Sequence, residues 1–276
     1  MAFLTVKNGR KLWYTEEGSG KPVVLIHGWK ASSNVYEIPS RLMTAEGGYR
    51  CIRYDHVGHM RSDVPDFDPD FTTLADDLHE VITQLGLEKP ILVGWSMGGA
   101  TIQAYVRRYG CAHLDRVVFV DIAPKGMNDD TWTITSRNKL FFREEAEQNV
   151  ALMRKDFREF LRWYYKRGIP GFVEKTAQEQ DAVIEERMKG HAPKVLTPLM
   201  EALYYRDHRD VLPKITCPAG IFHADLLPVC SAEVGEYYRR EIPAATRIVK
   251  FEGCSHSLIV EDPERFAREL LDFFVM

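Results

Sequence analysis

The stretch Ile91-Leu-Val-Gly-Trp-Ser-Met-Gly-Gly-Ala100 places a serine between an apolar run and a segment of small residues. Its centre, Gly94-Trp-Ser-Met-Gly98, matches the pattern G-x-S-x-G. In a nucleophile elbow the serine occupies a tight, strained turn between a strand and a helix, and small residues two positions away on either side avoid clashes. The stretch therefore predicts a buried strand, an accessible hydroxyl on Ser96, and a helix that follows closely.

Apolar runs of strand length recur along the chain and alternate with helical patterns. Near-continuous apolar runs such as residues 22–27 are typical of strands that are buried on both faces. The predicted strands are 22–27, 49–54, 90–93, 116–121, 217–223 and 246–251, and the predicted helices are 71–86, 98–109, 231–240 and 262–274. This alternation predicts an α/β fold with a mostly parallel sheet flanked by helices.

The segment 131–210 breaks the alternation, because it lacks buried strand runs and is rich in helix formers and aromatic residues. We interpret it as a helical insertion after the sixth strand. The predicted organisation is a first part of the core at 1–124, a helical cap at 125–213, and a second part of the core at 214–276. Some cap aromatics are expected to face the cleft above the serine and to form an apolar pocket. The aromatic residues of this segment are Trp132, Phe141, Phe142, Phe157, Phe160, Trp163, Tyr164, Tyr165, Tyr204 and Tyr205.

Composition narrows the class of partner. The chain has 276 residues, a formal net charge of −4 and 28% charged residues, and its basic residues are scattered, which argues against a nucleic-acid partner. No apolar stretch reaches the length of a membrane span, and the N-terminus does not resemble a signal peptide. Five widely spaced cysteines without a CxxC pair favour free thiols and a cytoplasmic location. We expect a small-molecule substrate. The sequence indicates no particular oligomeric state.

Two backbone amides are expected to stabilise negative charge beside the serine. An oxyanion hole needs two N–H donors aimed at the oxygen on which charge develops. One is the amide of Met97, directly after Ser96. The other is expected from the loop after the first buried strand, where Gly28 permits a sharp turn and Trp29 offers its N–H. Trp29, Trp95 and Met97 are also expected to line the substrate cleft.

His256 is the best placed of the nine histidines to act as a base. It follows the last predicted strand in Phe251-Glu-Gly-Cys-Ser-His256, and in folds that carry this elbow the corresponding loop hangs over the nucleophile. His27, at the end of a buried strand, is expected to be a structural histidine. His56 and His59 are interpreted as loop residues, and no carboxylate or cysteine spacing supports a metal site with His27.

Four motifs occur in the chain order His27-Gly-Trp29, Tyr54-Asp-His-Val-Gly-His-Met-Arg-Ser62, Gly94-Trp-Ser-Met-Gly-Gly99 and Gly253-Cys-Ser-His256. Together they resemble the α/β-hydrolase superfamily, and within it the cofactor-free haloperoxidase and aryl-esterase group. The resemblance covers both ends of the chain and leaves only the insertion unmatched. It implies a nucleophilic Ser96, His256 as its base, oxyanion amides on Trp29 and Met97, and no cofactor.

The acid that orients the histidine is where this sequence departs from the family. Relatives usually end the seventh strand with Gly-x-x-Asp, but here the strand ends Ile221-Phe-His-Ala224, which puts Leu227 in the acid's place. Asp225 lies two positions early. Asp121 ends the sixth strand, from which haloalkane dehalogenases and some other relatives take their acid. We favour Asp121 and keep Asp225 as the alternative, because a buried acceptor near the imidazole is the physical requirement.

The sequence thus predicts a serine hydrolase that acts through an acyl-enzyme on a carboxylic ester or lactone of a small, largely apolar molecule. Perhydrolase or haloperoxidase-like activity, and hydrolysis of a carbon–carbon bond, are alternatives on the same residues. Dehalogenation is disfavoured because the nucleophile is a serine rather than an aspartate. A non-catalytic ligand receptor on the same fold is the alternative from another class, and it would explain Leu227.

Overall fold

A sheet of eight strands forms the centre of the computed structural model, which describes residues 2–135, 142–169, 171–226, 231–244 and 246–276. Its strands are β1 (Ala2–Thr5), β2 (Lys11–Gly18), β3 (Lys21–Ile26), β4 (Tyr49–Tyr54), β5 (Ile91–Trp95), β6 (Arg116–Val120), β7 (Ala219–Ala224) and β8 (Thr246–Phe251). They lie in the order β1-β2-β4-β3-β5-β6-β7-β8. β2 is antiparallel to both of its neighbours, and the other neighbouring strands are parallel. The carboxyl ends of β3 to β8 therefore meet at one edge of the sheet.

Helices cover both faces of this sheet. They are α1 (Glu37–Ala45), α2 (Phe71–Gln84), α3 (Met97–Tyr109), α4 (Arg143–Lys155), α5 (Phe157–Gly168), α6 (Ala177–Met188), α7 (Pro193–Tyr205), α8 (Ala232–Glu241), α9 (Leu258–Glu261) and α10 (Pro263–Phe274), with short 3₁₀ turns at Lys7–Gly9, Ser33–Tyr36 and Arg209–Lys214. Residues of α1, α9 and α10 share one apolar cluster with the sheet. Residues of α2, α3 and α8 share the other cluster.

The position of β3 between the two apolar clusters explains why its sequence is almost entirely apolar. Val23 and Leu25 belong to one cluster, whereas Val24 and Ile26 belong to the other, and all four are fully buried. Successive side chains of a strand point to opposite faces, so a strand covered on both sides needs apolar residues at every position.

The predicted fold class is confirmed, with two differences in detail. β1 and β2 were not expected, because only two adjacent residues of β2 are buried and the rest of that strand, which lies next to the edge strand β1, is partly or fully exposed. The single closing helix predicted at 262–274 is preceded by a separate short helix, α9. Asp262 caps α10 through a side-chain bond to the amide of Arg265, and Pro263 occupies the first turn.

Helices α4 to α7 lie between β6 and β7 in the chain, and we refer to them as the cap helices. The described residues between 125 and 213 form helices, turns and isolated bridges but no strand. The boundaries at 124 and 213 stay a prediction. Phe141, one of the aromatic residues expected in the cap, lies outside the described residues.

No described helix combines the length and the apolar character that a bilayer crossing requires. Four cysteines are free and buried: Cys51, Cys111, Cys217 and Cys254. Cys230 lies outside the described residues.

Candidate active site

Ser96 lies at the junction of β5 and α3 with a strained backbone. Its φ of 53° and ψ of −119° fall in a region that favours glycine, and such a residue costs of order 1–3 kcal/mol. Two backbone bonds hold it there: its N–H donates to Val120 O at 2.9 Å, and Gly99 N–H donates to its carbonyl at 2.9 Å. The strained conformation of Ser96 is thus held by the neighbouring strand and by the first turn of α3.

The glycines on either side of Ser96 are required by close backbone contacts. A Cβ on Gly94 would lie 2.4 Å from Gly98 O, and a Cβ on Gly98 would lie 2.1 Å from Ile26 O. Both distances are far below any contact that a carbon atom tolerates. The G-x-S-x-G pattern is therefore a packing requirement of this turn.

The loop after β3 passes directly against Ser96. A Cβ on Gly28 would lie 3.1 Å from the Ser96 Cβ, so a side chain at this position would crowd the serine. Trp29 and Met97 are both buried, and neither backbone N–H donates a hydrogen bond to a described residue. Buried amides without an acceptor are rare in folded proteins. That these two amides form an oxyanion hole beside Ser96 stays a prediction.

His256 is held by a carboxylate from the neighbouring strand end. Its Nδ1 lies 2.6 Å from Oδ2 of Asp121, which is only 1% exposed and directly follows β6. Asp121 also has a positive φ of 46° and donates its N–H to Phe222 O at 2.7 Å. When Nδ1–H donates to the carboxylate, Nε2 is left with a lone pair that can accept a proton.

Trp95 connects His256 to the elbow. Its indole Nε1–H donates to the His256 carbonyl at 2.8 Å, and the two ring centroids are 5.2 Å apart. His256 therefore lies beside the residue that precedes Ser96. The Ser96 hydroxyl makes no hydrogen bond to a described residue, and catalytic hydrogen bonds are often long before substrate binds.

Asp225 has other partners. Its carboxylate accepts from Gly253 N–H at 2.8 Å and pairs with Lys250 Nζ at 3.1 Å. The Gly253 amide and the Lys250 ammonium hold the pKa of Asp225 below its usual range. Of the two aspartates weighed from the sequence, Asp121 is the one in contact with the imidazole. Leu227 lies outside the described residues.

The sequence model of a known family also covers this arrangement. The model for the alpha/beta hydrolase fold matches residues 21–263. The chain is a member of the α/β-hydrolase family.

Individual relatives of this α/β-hydrolase include peroxidases and esterases. A non-heme chloroperoxidase of Kitasatospora aureofaciens is 28% identical, over 99% of each chain. A bifunctional esterase/perhydrolase of Acinetobacter calcoaceticus is 25% identical, also over 99% of each chain. The solved structure of an esterase from Exiguobacterium antarcticum is 27% identical, with a TM-score of 0.84 and 99% of each chain covered. The resemblance to the haloperoxidase and esterase group is therefore confirmed.

The other histidines named from the sequence form a buried cluster in this α/β-hydrolase. His27 Nδ1–H donates to Gly28 O at 2.8 Å, and His27 Nε2 accepts from His56 N–H at 2.9 Å. Burial lowers the pKa of His27, His56 and His59, so these imidazoles stay neutral. The described residues contain no group of three or more side chains placed to hold a metal ion.

Trp29 makes side-chain contacts that the sequence analysis did not foresee. Its indole Nε1–H donates to Leu196 O of α7 at 2.8 Å, and its ring lies 5.9 Å from Tyr164 and 6.3 Å from Phe157. The side chain is therefore surrounded largely by the cap helices. That Trp29, Trp95 and Met97 contact substrate stays a prediction.

Lys30 is the residue at this site that sequence reasoning missed. Its Nζ donates to the Tyr165 hydroxyl and, at 2.9 Å, to Arg187 O. The only sequence signal is a lysine immediately after a residue expected in the oxyanion hole. That signal cannot show which part of the cap the lysine reaches.

Proposed function

We propose that this α/β-hydrolase is a serine esterase or lactonase that cleaves a carboxylic ester of a small, largely apolar molecule through an acyl-enzyme. The observation that carries the proposal is the hydrogen bond between Asp121 and His256 beside the Ser96 elbow. A strand–helix turn alone could be structural, but a buried carboxylate that orients an imidazole next to it has a direct chemical use.

The reaction follows from the roles of these groups. His256 Nε2 takes the hydroxyl proton while Ser96 Oγ attacks the ester carbonyl carbon. The N–H groups of Trp29 and Met97 stabilise the resulting oxyanion, and each such donor is typically worth about 10²–10³ in kcat. The carbon–oxygen bond then breaks, and the imidazolium returns its proton to the departing alcohol. Asp121 holds the imidazole in place and stabilises the imidazolium that forms.

Hydrolysis of the acyl-enzyme repeats the same steps with water as the nucleophile. His256 removes a proton from water, the hydroxyl oxygen attacks the acyl carbon, and Ser96 Oγ leaves with the proton that His256 returns. In a lactone the alcohol stays attached to the acyl group, so the product is a single hydroxy acid.

The surroundings support an apolar substrate. Trp29 contacts the rings of Phe157, Phe160 and Tyr164 at centroid distances of 5.9–6.3 Å. Apolar and aromatic walls with a few convergent polar groups are usual for small-molecule sites. The names of the relatives separately support ester cleavage, because esterases are among them.

Perhydrolysis is the second candidate, favoured by the similarity to the bifunctional esterase/perhydrolase. In that reaction hydrogen peroxide, rather than water, attacks the acyl-enzyme and releases a peracid. The same nucleophile, base and amides serve both reactions, so the two differ only in the second step.

A fluorophosphonate probe tests the nucleophile. We expect one adduct per chain, located on Ser96 by peptide mass spectrometry, and no adduct in Ser96→Ala or His256→Ala. Ser19→Ala, which changes an exposed serine in the link between β2 and β3, is the matched control and should label normally. Folded protein that does not label would favour a ligand receptor and contradict the proposal. Turnover of p-nitrophenyl esters and simple lactones, with and without hydrogen peroxide, then separates the two reactions.

A further inference from the structure

The loop that carries the Trp29 amide is tied to three of the cap helices. We call residues 27–30 the oxyanion loop. The Trp29 indole donates to Leu196 O of α7 at 2.8 Å. The Lys30 ammonium reaches α5 and α6 together, because it donates to the Tyr165 hydroxyl and to Arg187 O, and it also lies 5.1 Å from the Tyr165 ring centroid. Seating of the cap and the position of the loop are therefore mechanically linked.

The backbone of Lys30 is constrained as well as its side chain. Its φ of 52° is in the left-handed region, which a lysine rarely adopts without support. Its N–H donates to His59 Nε2 at 3.2 Å, and His59 Nδ1 is 3.0 Å from Val57 O. Since burial keeps His59 neutral, its Nε2 is an acceptor for this amide. The strained residue next to Trp29 is thus held in place from the core and from the cap.

The surroundings of the Lys30 ammonium make it a poor stabilising group. It faces Tyr165 on α5, Arg187 on α6, His191 after α6, and His59 on the core side, and it forms no ion pair with a described carboxylate. Burial, and then the Arg187 guanidinium, lower the pKa of Lys30 to about 7. Lys30 is only partly buried, and an ammonium that is partly removed from water without a counter-ion among the described residues adds little to stability. An unfavourable group at this position suggests a role in function.

We propose that Lys30 is a positioning residue that couples seating of the cap to the geometry of the oxyanion hole. Its side chain links the oxyanion loop to α5 and α6, so the Trp29 N–H points at the reacting oxygen only when the cap is in place. This inference rests on the proposed esterase function. Under this proposal, Ser96 attacks efficiently only when the cap covers the substrate correctly.

Steady-state kinetics with p-nitrophenyl acetate test the proposal. Lys30→Met keeps the length of the side chain and removes both bonds, and we expect kcat to fall roughly tenfold, part of what a whole oxyanion donor supplies. KM should change by less than about twofold, because the oxyanion contact is made only in the transition state. Tyr165→Phe removes one partner and should lower kcat about threefold, by the same argument. Lys189→Met, an exposed lysine just after α6 that is paired with Glu186, is the matched control.

The outcomes distinguish the role of Lys30 from the proposed esterase function. Unchanged kcat in Lys30→Met and Tyr165→Phe, or a rise in KM alone, would overturn the role of Lys30 and leave the proposed function standing. Wild-type protein without activity that depends on Ser96 would instead overturn the proposed function. If Lys30→Met does not fold, Tyr165→Phe decides the question.

Discussion

Two neighbouring strands of the sheet each end close to an aspartate, and the two aspartates have different surroundings. Asp121, after β6, is buried and bonds to the imidazole of His256 at 2.6 Å. Asp225, after β7, is exposed and bonds to the backbone N–H of Gly253 and to Lys250. Both therefore contact the loop after β8, one through its histidine side chain and the other through its backbone.

The role of a carboxylate at this edge of the sheet is decided by its burial and by the partner that it meets. Asp121 is buried and bonds to the imidazole, and in the proposed mechanism a carboxylate in that position stabilises the imidazolium that forms. Asp225 is screened by solvent and already has a cationic partner, so it can only help to hold the loop. Three substitutions sharpen this contrast, and they are expected to have successively smaller effects.

Asp121→Asn should have the largest effect. Asparagine cannot stabilise the imidazolium and favours the wrong tautomer, so we expect kcat for p-nitrophenyl acetate to fall about 10³–10⁴-fold. Asp225→Asn, measured in the same assay, is the matched control and should stay within about threefold of the wild type, as an exposed partner would. A larger loss in Asp225→Asn than in Asp121→Asn would reverse the assignment of the acid.

Trp95→Phe should have an intermediate effect. It keeps an aromatic ring but removes the indole N–H that donates to the His256 carbonyl at 2.8 Å. One lost hydrogen bond of about 1 kcal/mol in the support of the base corresponds to a fall in kcat of roughly fivefold. Trp163→Phe on α5 is the control. Equal kcat values in the two variants would show that the loop after β8, which carries His256, is held without the Trp95 indole.

Asp225→Asn should have the smallest effect, and it should appear in stability rather than in chemistry. The Gly253 amide and Lys250 hold the pKa of Asp225 below its usual value, so its ionised form stabilises the fold above its unfolded pKa of about 4. That contribution is lost as the pH falls through the folded pKa. Thermal unfolding between pH 7 and pH 3 should therefore show a small difference between wild type and variant that shrinks on acidification. A difference that grows on acidification would contradict this sign.

The core strands and the elbow could be predicted from short patterns of apolar residues and glycines. The runs that became β3 and β5 are apolar at nearly every position, and the glycines around Ser96 satisfy contacts within one turn. β2 escaped prediction because its charged residues, next to the edge strand β1, make its sequence resemble a loop. A pattern of apolar residues identifies a strand that is buried on both faces, but it does not identify a strand that is largely exposed.

The contacts that complete the site depend on the tertiary fold. Asp121 and His256 are 135 residues apart in the chain, and so are Lys30 and Tyr165. The sequence could narrow the acid to Asp121 or Asp225, because both follow predicted strands. It could not show which carboxylate meets the imidazole, nor that the cap reaches Lys30, because those meetings depend on how loops cross the sheet edge.

Trapping of the acyl-enzyme tests whether Ser96 is the nucleophile. Wild-type protein mixed with p-nitrophenyl butyrate and quenched in acid within milliseconds should carry one butyryl group, located by peptide mass spectrometry on Ser96. The release of p-nitrophenol should show a burst of about one equivalent per chain when deacylation limits the rate. Turnover with no acyl adduct, or an adduct on a residue other than Ser96, would contradict the account.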